Sequence, residues 1–334
     1  MTPRVAIIGA GLAGLTAAHR LLTRPSPPEV VVIDKGRHGG GRLCTRTVEL
    51  PDGRKARFDI GPPVLYARYE FRHEPESFRV LGLAGELADD ELFTRRQVGR
   101  IGESVVDEPI SGLTVRGGVR ELAFRLLTAH SDRLDFRDHT LAEKLQKTDD
   151  GWRIHTRSLR DDHRATVTAN ALILTPPVPQ ALGLLAANGI ELPDELRYAL
   201  RKIEYTRCIA VYGLFTEPGR VLPGGEWASG GVFEWVCDNA LKDVSPVALS
   251  LTGLTTDQWA KDHWHETDAR LLERLVPALR PWGGEPAGPD AVWVHKWQWA
   301  RPVNPVSMPC AVLRDLAAVI AGDGFAAAHR EPVD

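Results

Sequence analysis

The chain opens with a short run of apolar residues that is followed at once by closely spaced glycines. Residues 5–8 are Val, Ala, Ile and Ile, a pattern typical of a strand buried on both faces of a parallel sheet. Residues 15–22 then have the apolar spacing of a helix. Gly9, Gly11 and Gly14 lie between these segments in the G-x-G-x-x-G spacing. The pattern predicts a strand, a tight turn and a helix.

This glycine turn, residues 9–14, is suited to binding a pyrophosphate. Gly9 permits the tight turn, Gly11 lets the phosphates approach the backbone, and Gly14 lets the helix pack close to the sheet. Leu12 and Ala13 lie at the start of the helix, where free N–H groups and a partial positive charge favour an anion. We therefore predict that the turn contacts a dinucleotide.

A second β-branched run at residues 30–33 ends at Asp34, 20 residues after Gly14. That is the position of a carboxylate that accepts hydrogen bonds from an adenosine ribose. The alternative is a glycine-rich turn that binds nothing. Strand, helix, second strand and acid together favour dinucleotide binding.

A glycine-rich loop follows the second strand. Lys35 comes directly after Asp34, and residues 39–41 are three consecutive glycines that cannot form a stable helix. Arg42 follows Gly41 and carries a forked set of donors suited to phosphate. A solvent-exposed turn is the alternative, but the nearby glycine turn favours phosphate contact.

Further elements follow from periodicity and turn residues. The pattern predicts a helical stretch at 75–99, a helix at 119–129, a hairpin of strands 141–148 and 152–157, and strands at 171–174 and 317–321. Prolines after residue 175 stop the strand before them and favour a crossing between domains. The last predicted strand leads into Gly322 and Asp323.

Eight of the nine tryptophans lie between residues 227 and 299. The segment 293–299 alternates as a strand does and places Trp293, His295, Trp297 and Trp299 on one face. Trp297 and Trp299 are candidate residues of a pocket for a planar ligand. Plain core packing is the alternative for any single tryptophan. A structural role is equally open for His295 and its neighbour Lys296.

Composition narrows the choice of partners. The 334 residues are 43% hydrophobic and 25% charged, with a formal net charge of −3, so two soluble domains fit and neither nucleic acid nor an anionic membrane is expected. No apolar run approaches the ~18 residues of a membrane span. The four scattered cysteines are typical of reduced thiols in a cytoplasmic protein. His263 and His265 do not share a helix face, so no metal site is predicted.

Taken together, these motifs resemble the FAD-binding signature of the flavin amine oxidase superfamily. The residues that carry the resemblance are the glycine turn, Asp34, the loop ending at Arg42, and Gly322 with Asp323. The segments 58–61, 173–180 and 295–302 are most similar to the renalase-like branch of NAD(P)/FAD-dependent oxidoreductases. The motifs cover both ends of the chain strongly and its middle at isolated points.

The resemblance implies an α/β fold. It consists of a Rossmann-type, p-hydroxybenzoate-hydroxylase-like FAD-binding domain and a second, mixed-sheet substrate domain. Residues 1–70, 109–178 and 300–334 would form the FAD-binding domain, and residues 71–108 and 179–299 the substrate domain.

The resemblance also implies roles for individual residues. It places Arg42 near the pyrophosphate and Gly61 near the flavin. Gly322 and Asp323 would lie near the ribityl-phosphate arm, and the backbone of Thr140 would contact adenine. We expect FAD as cofactor and a small-molecule substrate, and we find no convincing catalytic dyad or triad. The oligomeric state is left open.

The expected activity is that of an oxidase. It would take hydride from a small planar or amine substrate, a dihydronicotinamide by resemblance, onto flavin N5, with O2 as acceptor. Residues 61–63 are Gly-Pro-Pro, closer to desaturase-like enzymes, so desaturase- or isomerase-like action on an apolar substrate is one alternative. The other is flavin binding without turnover. The sequence stops at Asp334, where the family continues into a helix aimed at the flavin, and a truncation or weaker flavin binding is expected.

Overall fold

The computed structural model describes residues 2–62, 64–66, 92–101, 110–218, 221–228 and 231–326. Its strands, in chain order, are β1 (Arg4–Ile8), β2 (Glu29–Ile33), β3 (Thr45–Glu49), β4 (Lys55–Asp59), β5 (Leu65–Tyr66), β6 (Phe93–Ile101), β7 (Ile110–Val115), β8 (Leu134–Arg137), β9 (Thr140–Thr148), β10 (Gly151–Ser158), β11 (Arg164–Ala169), β12 (Ala171–Leu174), β13 (Tyr205–Leu214), β14 (Glu226–Ala228), β15 (Phe233–Asp238), β16 (Ser250–Thr255), β17 (Val292–Pro302), β18 (Val306–Ser307), β19 (Ala311–Leu313), β20 (Ala318–Ile320) and β21 (Phe325–Ala326). The helices are α1 (Leu12–Leu22), α2 (Arg120–Thr128), α3 (Val178–Ala187), α4 (Asp194–Arg201), α5 (Asp257–Asp262) and α6 (Asp268–Gly283).

The described chain divides into two compact units. The first consists of Met1–Gly41, Ala123–Tyr205 and Arg301–Asp334, and the second of Arg42–Leu122 and Thr206–Ala300. These bounds put residues 42–62 with the second unit, whereas the sequence-based division groups them with the cofactor domain. Because compactness does not show which residues hold a cofactor, the division by role stays a prediction.

A six-stranded sheet forms the centre of the first unit. Its order is β19-β20-β12-β1-β2-β8, and every neighbouring pair except β19–β20 is parallel. Residues 6–8 of β1 are buried, as the continuous apolar run predicted. Helix α1 packs Leu15, Ala18 and Leu22 inward. The predicted strand, glycine turn and helix are confirmed, and so is the α/β fold with a Rossmann-like domain.

The predicted hairpin in the same unit is also confirmed. Strands β9 and β10 pair antiparallel, and β11 joins them in a three-stranded sheet. Trp152 on β10 is 1% exposed and donates its indole N–H to the carbonyl oxygen of Leu316 at 2.8 Å. This small sheet therefore contributes to the core that also covers the parallel sheet.

The second unit contains a mixed sheet in the order β17-β13-β16-β15-β14-β6-β7-β5. Strands β14 and β6 are parallel, whereas β13, β16 and β15 pair antiparallel. Helix α6 buries Leu271, Leu275 and Leu279, which are spaced by four residues, in a core with β15 and β16. The mixed sheet expected for the second domain is thus present.

One sequence prediction was wrong in the part that can be tested. Residues 75–99 were expected to be helical, but Phe93–Ile101 forms strand β6, paired antiparallel with β7. Val98 is buried, whereas its neighbour Gln97 is exposed, as expected for a strand with one buried face. Pairing with other strands therefore determines the structure here, and the helix-like spacing of apolar residues does not. Residues 75–91 lie outside the described residues.

Two histidines meet inside the first unit. The Nε2 atom of His130 lies 2.9 Å from the Nδ1 atom of His19, and both residues are 6% exposed. Burial lowers the pKa of His130 from its ordinary 6.5, and the neighbouring His19 and Arg133 lower it further, while Asp132 opposes them. One ring therefore donates an N–H to the other, and the lowered pKa of His130 disfavours an additional proton on that ring.

This pair predicts a pH-dependent stability. Because the pKa of His130 is lower in the folded than in the unfolded state, the unfolded state binds more protons as the pH falls below about 6.5. The free energy of unfolding should be flat above that pH and should decrease below it. Urea unfolding from pH 8 to pH 5 measures this, with His130→Gln as the comparison. The prediction fails if the wild-type protein and the variant lose stability in parallel.

Candidate functional site

The carboxyl ends of the parallel strands in the first unit bring several predicted site residues to one edge of the sheet. Gly9 follows β1, Asp34 follows β2, and Gly322 follows β20 by one residue. Thr140 comes soon after β8, and its N–H donates to the carbonyl oxygen of Asp34 at 2.8 Å. This edge is where α/β sheets bind their ligands. Sequence positions more than 300 residues apart thus meet here.

The glycine turn has the geometry that close packing requires. Gly9 has φ +102°, a conformation that favours glycine, and its N–H donates to the carbonyl oxygen of Ile33 at 2.9 Å. A Cβ on Gly14 would overlap the carbonyl oxygen of Gly9. Helix α1 can therefore lie against the turn only because residue 14 lacks a side chain.

Gly11 differs, because a Cβ there would meet no protein atom within 4 Å. Gly11 is the N-cap of α1 and has φ −73°, which other residues adopt readily, and no side chain caps the helix. Leu12 and Ala13 follow as its first two residues. Neither packing nor backbone conformation demands glycine at position 11. Open space beside an uncapped helix N-terminus fits the phosphates of a dinucleotide.

The carboxylate of Asp34 is held by backbone amides. Its Oδ2 accepts from the N–H of Ala10, and its Oδ1 accepts from the N–H of Gly36, both at 2.6 Å. A carboxylate has about four acceptor positions, so ribose hydroxyls can still bind. Lys35 is exposed beside it. The clamp on the glycine turn was not foreseen from the sequence, because Ala10 gives no sign of the contact.

The triple-glycine loop lies against the glycine turn. Gly39, Gly40 and Gly41 have φ +65°, +94° and +56°, so all three use the left-handed region. The N–H of Gly40 donates to the carbonyl oxygen of Ala10 at 2.7 Å. A Cβ on Gly41 would come within 3.2 Å of the Cα of Gly11. The loop is thus a fixed part of this edge rather than a free surface turn.

Thr175, which sequence reasoning passed over, supports the same turn. Its hydroxyl contacts the carbonyl oxygens of Ile8 at 3.1 Å and Gly9 at 2.9 Å. The one sequence sign was its place between strand β12 and the prolines. Asp323 accepts a hydrogen bond from the hydroxyl of Tyr205 at 3.4 Å, and Gly322 has φ +136°.

In the second unit, Arg42 and Gly61 lie together. A Cβ on Gly61 would overlap the carbonyl oxygen of Arg42, so the two segments touch through their backbones. The guanidinium of Arg42 donates to the carbonyl oxygens of Trp299 at 3.3 Å and Ala300 at 3.2 Å. The contact of Arg42 with a pyrophosphate therefore stays a prediction.

Strand β17 confirms the predicted strand at 293–299 and carries an aromatic face. The indole N–H of Trp297 donates to the carbonyl oxygen of Ile60 at 2.7 Å, and its ring lies 4.4 Å from the ring of His295. Trp293 lies 6.1 Å from Phe58 and 5.8 Å from Tyr212, measured between ring centroids. We call Phe58, Tyr212, Trp293, His295 and Trp297 the aromatic face. Trp299 is half-buried on the same strand.

Two titratable groups on this face are shifted. Burial, and secondarily the charge of Arg46, lowers the pKa of His295 to about 4, so the ring is neutral at physiological pH. Burial raises the pKa of Tyr212, and Arg46 opposes the shift. Lys296 points elsewhere, donating to the carbonyl oxygens of Trp264 and Glu266 at 2.8 and 2.7 Å. These two contacts favour a structural role for Lys296.

A fully buried ion pair stands directly before Ile60 and Gly61. The Nζ of Lys242 lies 3.1 Å from Oδ2 of Asp59, and both side chains are 0% exposed. Oδ1 of Asp59 accepts from the hydroxyl of Thr45 at 2.7 Å and from the N–H of Val119 at 3.0 Å. Burial disfavours the ammonium most strongly, but Asp59 and Cys237 together outweigh it, and the pKa of Lys242 is raised.

Some site types find no support in the described residues. No three His, Cys, Asp or Glu side chains among them cluster so as to hold a metal ion. In the same part of the chain, no helix has the length and hydrophobicity to cross a bilayer. None of the four cysteines, all of which lie in the described part of the chain, forms a disulfide.

Comparison with known proteins shows to which family the chain belongs. The pattern of the NAD(P)-binding Rossmann-like domain matches residues 7–77. The pattern of the flavin-containing amine oxidoreductases matches residues 68–316, well over half of the chain. The chain belongs to the flavin-containing amine oxidoreductase family. It is an FAD-dependent oxidoreductase, and FAD is its cofactor.

Individual relatives of this family member are distant. A candidate protoporphyrinogen oxidase from Exiguobacterium sp. 255-15 has a similar fold, with TM-score 0.69 and 14% identity over 98% of this chain and 95% of that one. Cyclohexylamine oxidase from Brevibacterium oxydans IH-35A gives TM-score 0.63 and 12% identity over 96% and 93% of the two chains. At such identities the likeness shows the fold alone.

A curated relative matches in sequence over a short stretch. Lysine-specific histone demethylase 1 homolog 1 of Arabidopsis thaliana is 43% identical over 63 residues. The stretch is 19% of this chain and 7% of that protein's length. The family match thus establishes FAD as the cofactor, whereas the substrate has to be inferred from the residues of the site.

Proposed function

We propose that this protein is an FAD-dependent oxidase that acts on a small planar or amine substrate with O2 as acceptor. The observation that carries the proposal is the glycine turn, where Gly11 borders open space at an uncapped helix N-terminus. In this proposal the turn and Arg42 hold the pyrophosphate, and Asp34 holds the adenosine ribose. Thr140 contacts adenine, and Gly322 and Asp323 contact the ribityl-phosphate arm.

The aromatic face supports a planar substrate. In the proposal Gly61 lies near the flavin, and the carbonyl of the preceding residue, Ile60, accepts the indole N–H of Trp297. A ring fixed in this way offers a flat apolar surface on which a planar molecule can stack. Trp297 is therefore the stronger pocket residue, and Trp299, whose backbone carbonyl contacts Arg42, is the weaker one.

The proposal needs little acid–base chemistry from the protein. When bound, FAD supplies a hydride acceptor at its N5 position, and O2 returns it to the oxidised form with release of hydrogen peroxide. The chain's own residues bind the substrate, orient it and exclude water. His295, neutral because of its lowered pKa, contributes no charge at pH 7. Dihydronicotinamides are the first substrates to test, because segments 58–61 and 295–302 are renalase-like.

A second candidate is oxidation or isomerisation of an apolar substrate. Gly61 and the prolines that follow it are closer to desaturase-like enzymes. A similar fold occurs in a candidate protoporphyrinogen oxidase, whose name indicates a large, mainly apolar tetrapyrrole substrate. The same aromatic face would suit either substrate class.

Peroxide release from the FAD-loaded protein, together with the absorption spectrum of an offered polyene as the measure of its oxidation or isomerisation, separates the candidates. Dihydronicotinamides, primary amines and an apolar polyene are offered in turn under air, with oxygen uptake as a second readout. Turnover of dihydronicotinamides or amines supports the oxidase proposal. Turnover of the polyene alone favours the second candidate. An FAD-loaded protein that turns over none of the three would contradict both and favour flavin binding without turnover.

A further inference from the structure

We propose that Arg46, with Tyr212 and His295, binds the oxyanion of a substrate that carries a phosphate or carboxylate group. The inference rests on the proposed function, because it names the substrate class of the same aromatic face. It also adds a polar end to a surface that is otherwise apolar.

The first observation is a set of donors without acceptors. Within the described residues, the guanidinium of Arg46 has one polar contact, 3.5 Å from Nδ1 of His295, and no carboxylate partner. The hydroxyl of Tyr212 makes no hydrogen bond there, although the residue is only 7% exposed. A buried tyrosine hydroxyl normally finds an acceptor in proteins, and among the described residues the exposed guanidinium of Arg46 is free of a competing carboxylate. A ligand oxyanion would supply them.

The second observation is the tautomer of His295. With Nδ1 facing the guanidinium of Arg46, which can only donate, a neutral ring must carry its proton on Nε2. Nε2 has no acceptor among the described residues. The three side chains therefore offer a guanidinium, a phenol O–H and an imidazole N–H to the same kind of group.

The third observation is their common face. Strands β13 and β17 are neighbours in the sheet, and the rings of Tyr212 and Trp293 lie 5.8 Å apart across them. Trp293, His295 and Trp297 alternate along β17 and so share a face. Arg46, on β3, reaches His295 from outside and is exposed. The guanidinium of Arg46 and the ring of His295 thus meet at the border of the aromatic face, where the charged end of a stacked molecule would be.

Among the charged groups that act on His295 and Tyr212, the guanidinium of Arg46 has the strongest effect. Arg46 acts more strongly than Asp268 on both His295 and Tyr212, and Asp268 is exposed at the start of α6. Lysine would serve less well than arginine here, since the planar guanidinium can offer two parallel N–H groups to one oxyanion. The ligand chemistry is a phosphate or carboxylate, and the test distinguishes between them.

The test compares substrates that differ by one charged group. Dihydronicotinamide riboside and its 5′-phosphate form one pair, and phenethylamine and phenylalanine form the other. For Arg46→Gln we expect kcat/KM to fall by at least about tenfold for the charged member of one pair and less than twofold for its neutral member, since tenfold corresponds to the loss of about 1.4 kcal/mol. The pair that responds identifies phosphate or carboxylate.

Arg54→Gln is the matched control, because Arg54 is an exposed arginine in the turn after β3 and pairs with Asp52. Equal losses in both variants would show a long-range charge effect and would overturn the site. Equal losses for charged and neutral substrates of Arg46→Gln would also overturn it.

Failure of the proposed oxidase function can be distinguished from failure of the oxyanion site. If the wild-type, FAD-loaded protein releases no peroxide from any of the four compounds, the oxidase proposal fails. Binding is then compared by quenching of tryptophan fluorescence within two pairs, nicotinamide mononucleotide with nicotinamide riboside and phenylalanine with phenethylamine. Tighter binding of the charged member of one pair that is lost in Arg46→Gln and kept in Arg54→Gln still supports the site. Equal binding within both pairs overturns it.

Discussion

Lys242→Met is expected to lower the free energy of unfolding by about 3–5 kcal/mol, because it leaves the carboxylate of Asp59 charged and unpaired in the core. Both partners are fully buried. In this fully buried position water does not replace the lost ammonium. Among the described residues Oδ2 of Asp59 has no other donor, while Oδ1 stays bound to Thr45 and Val119. The measurement is urea unfolding of the FAD-loaded protein at pH 7.

The double variant Asp59→Asn/Lys242→Met should recover at least half of that loss. An asparagine oxygen can still accept from Thr45 and Val119, and no uncompensated charge remains. Lys261→Met is the control, since Lys261 pairs with Asp257 on the surface and should cost less than about 1 kcal/mol. Equal effects of Lys242→Met and Lys261→Met would contradict this account of the pair.

Gly14→Ala is expected to prevent stable folding of the first unit or to destabilise it by at least about 3 kcal/mol, at the upper end of the cost of overpacking. The new Cβ would overlap the carbonyl oxygen of Gly9 and lie 2.8 Å from Oγ1 of Thr175. Moving the turn away from helix α1 would strain the hydrogen bond from the N–H of Gly9 to the carbonyl oxygen of Ile33. Thermal unfolding followed by circular dichroism measures the loss.

Gly183→Ala is the matched control for that variant. Gly183 lies within helix α3, and a Cβ there meets no atom within 4 Å. The change should leave stability equal or raise it by up to about 1 kcal/mol, the helix preference of alanine over glycine. A Gly14→Ala protein as stable as Gly183→Ala would contradict the close packing of turn and helix.

Local patterns predicted the first unit well. The glycine turn, Asp34 and the hairpin at residues 149–151 are signalled within a few tens of residues, because strand, turn and helix each depend on near neighbours in the chain. The family resemblance then led to FAD, which the family match supports. The hydrogen bond from the N–H of Ala10, in the glycine turn, to the carboxylate of Asp34 depends on the folded backbone. No residue type in the sequence signals it.

The second unit was less predictable for a physical reason. Asp59 and Lys242 are 183 residues apart, and neither stands in a run that marks it as buried. Tyr212 and Trp293 meet only when β13 and β17 pair, so the aromatic face follows from sheet order rather than from periodicity. Strand β6 was mistaken for helix because sheet neighbours outside the segment determine its structure.

The measurement that tests the central claim most directly is the visible absorption spectrum of the purified protein beside that of Gly11→Ala, each after gel filtration and again after heat release into the supernatant. A Cβ on Gly11 touches no protein atom, so the variant should fold, at a cost of about 1 kcal/mol or less for the changed N-cap. We predict flavin bands in the wild type that move to the supernatant as free FAD. In the variant the affinity for added FAD should be at least about tenfold weaker, a loss of about 1.4 kcal/mol or more.

A folded wild-type protein that is colourless and takes up no added FAD would contradict the account. Equal FAD retention by Gly11→Ala would place the pyrophosphate elsewhere.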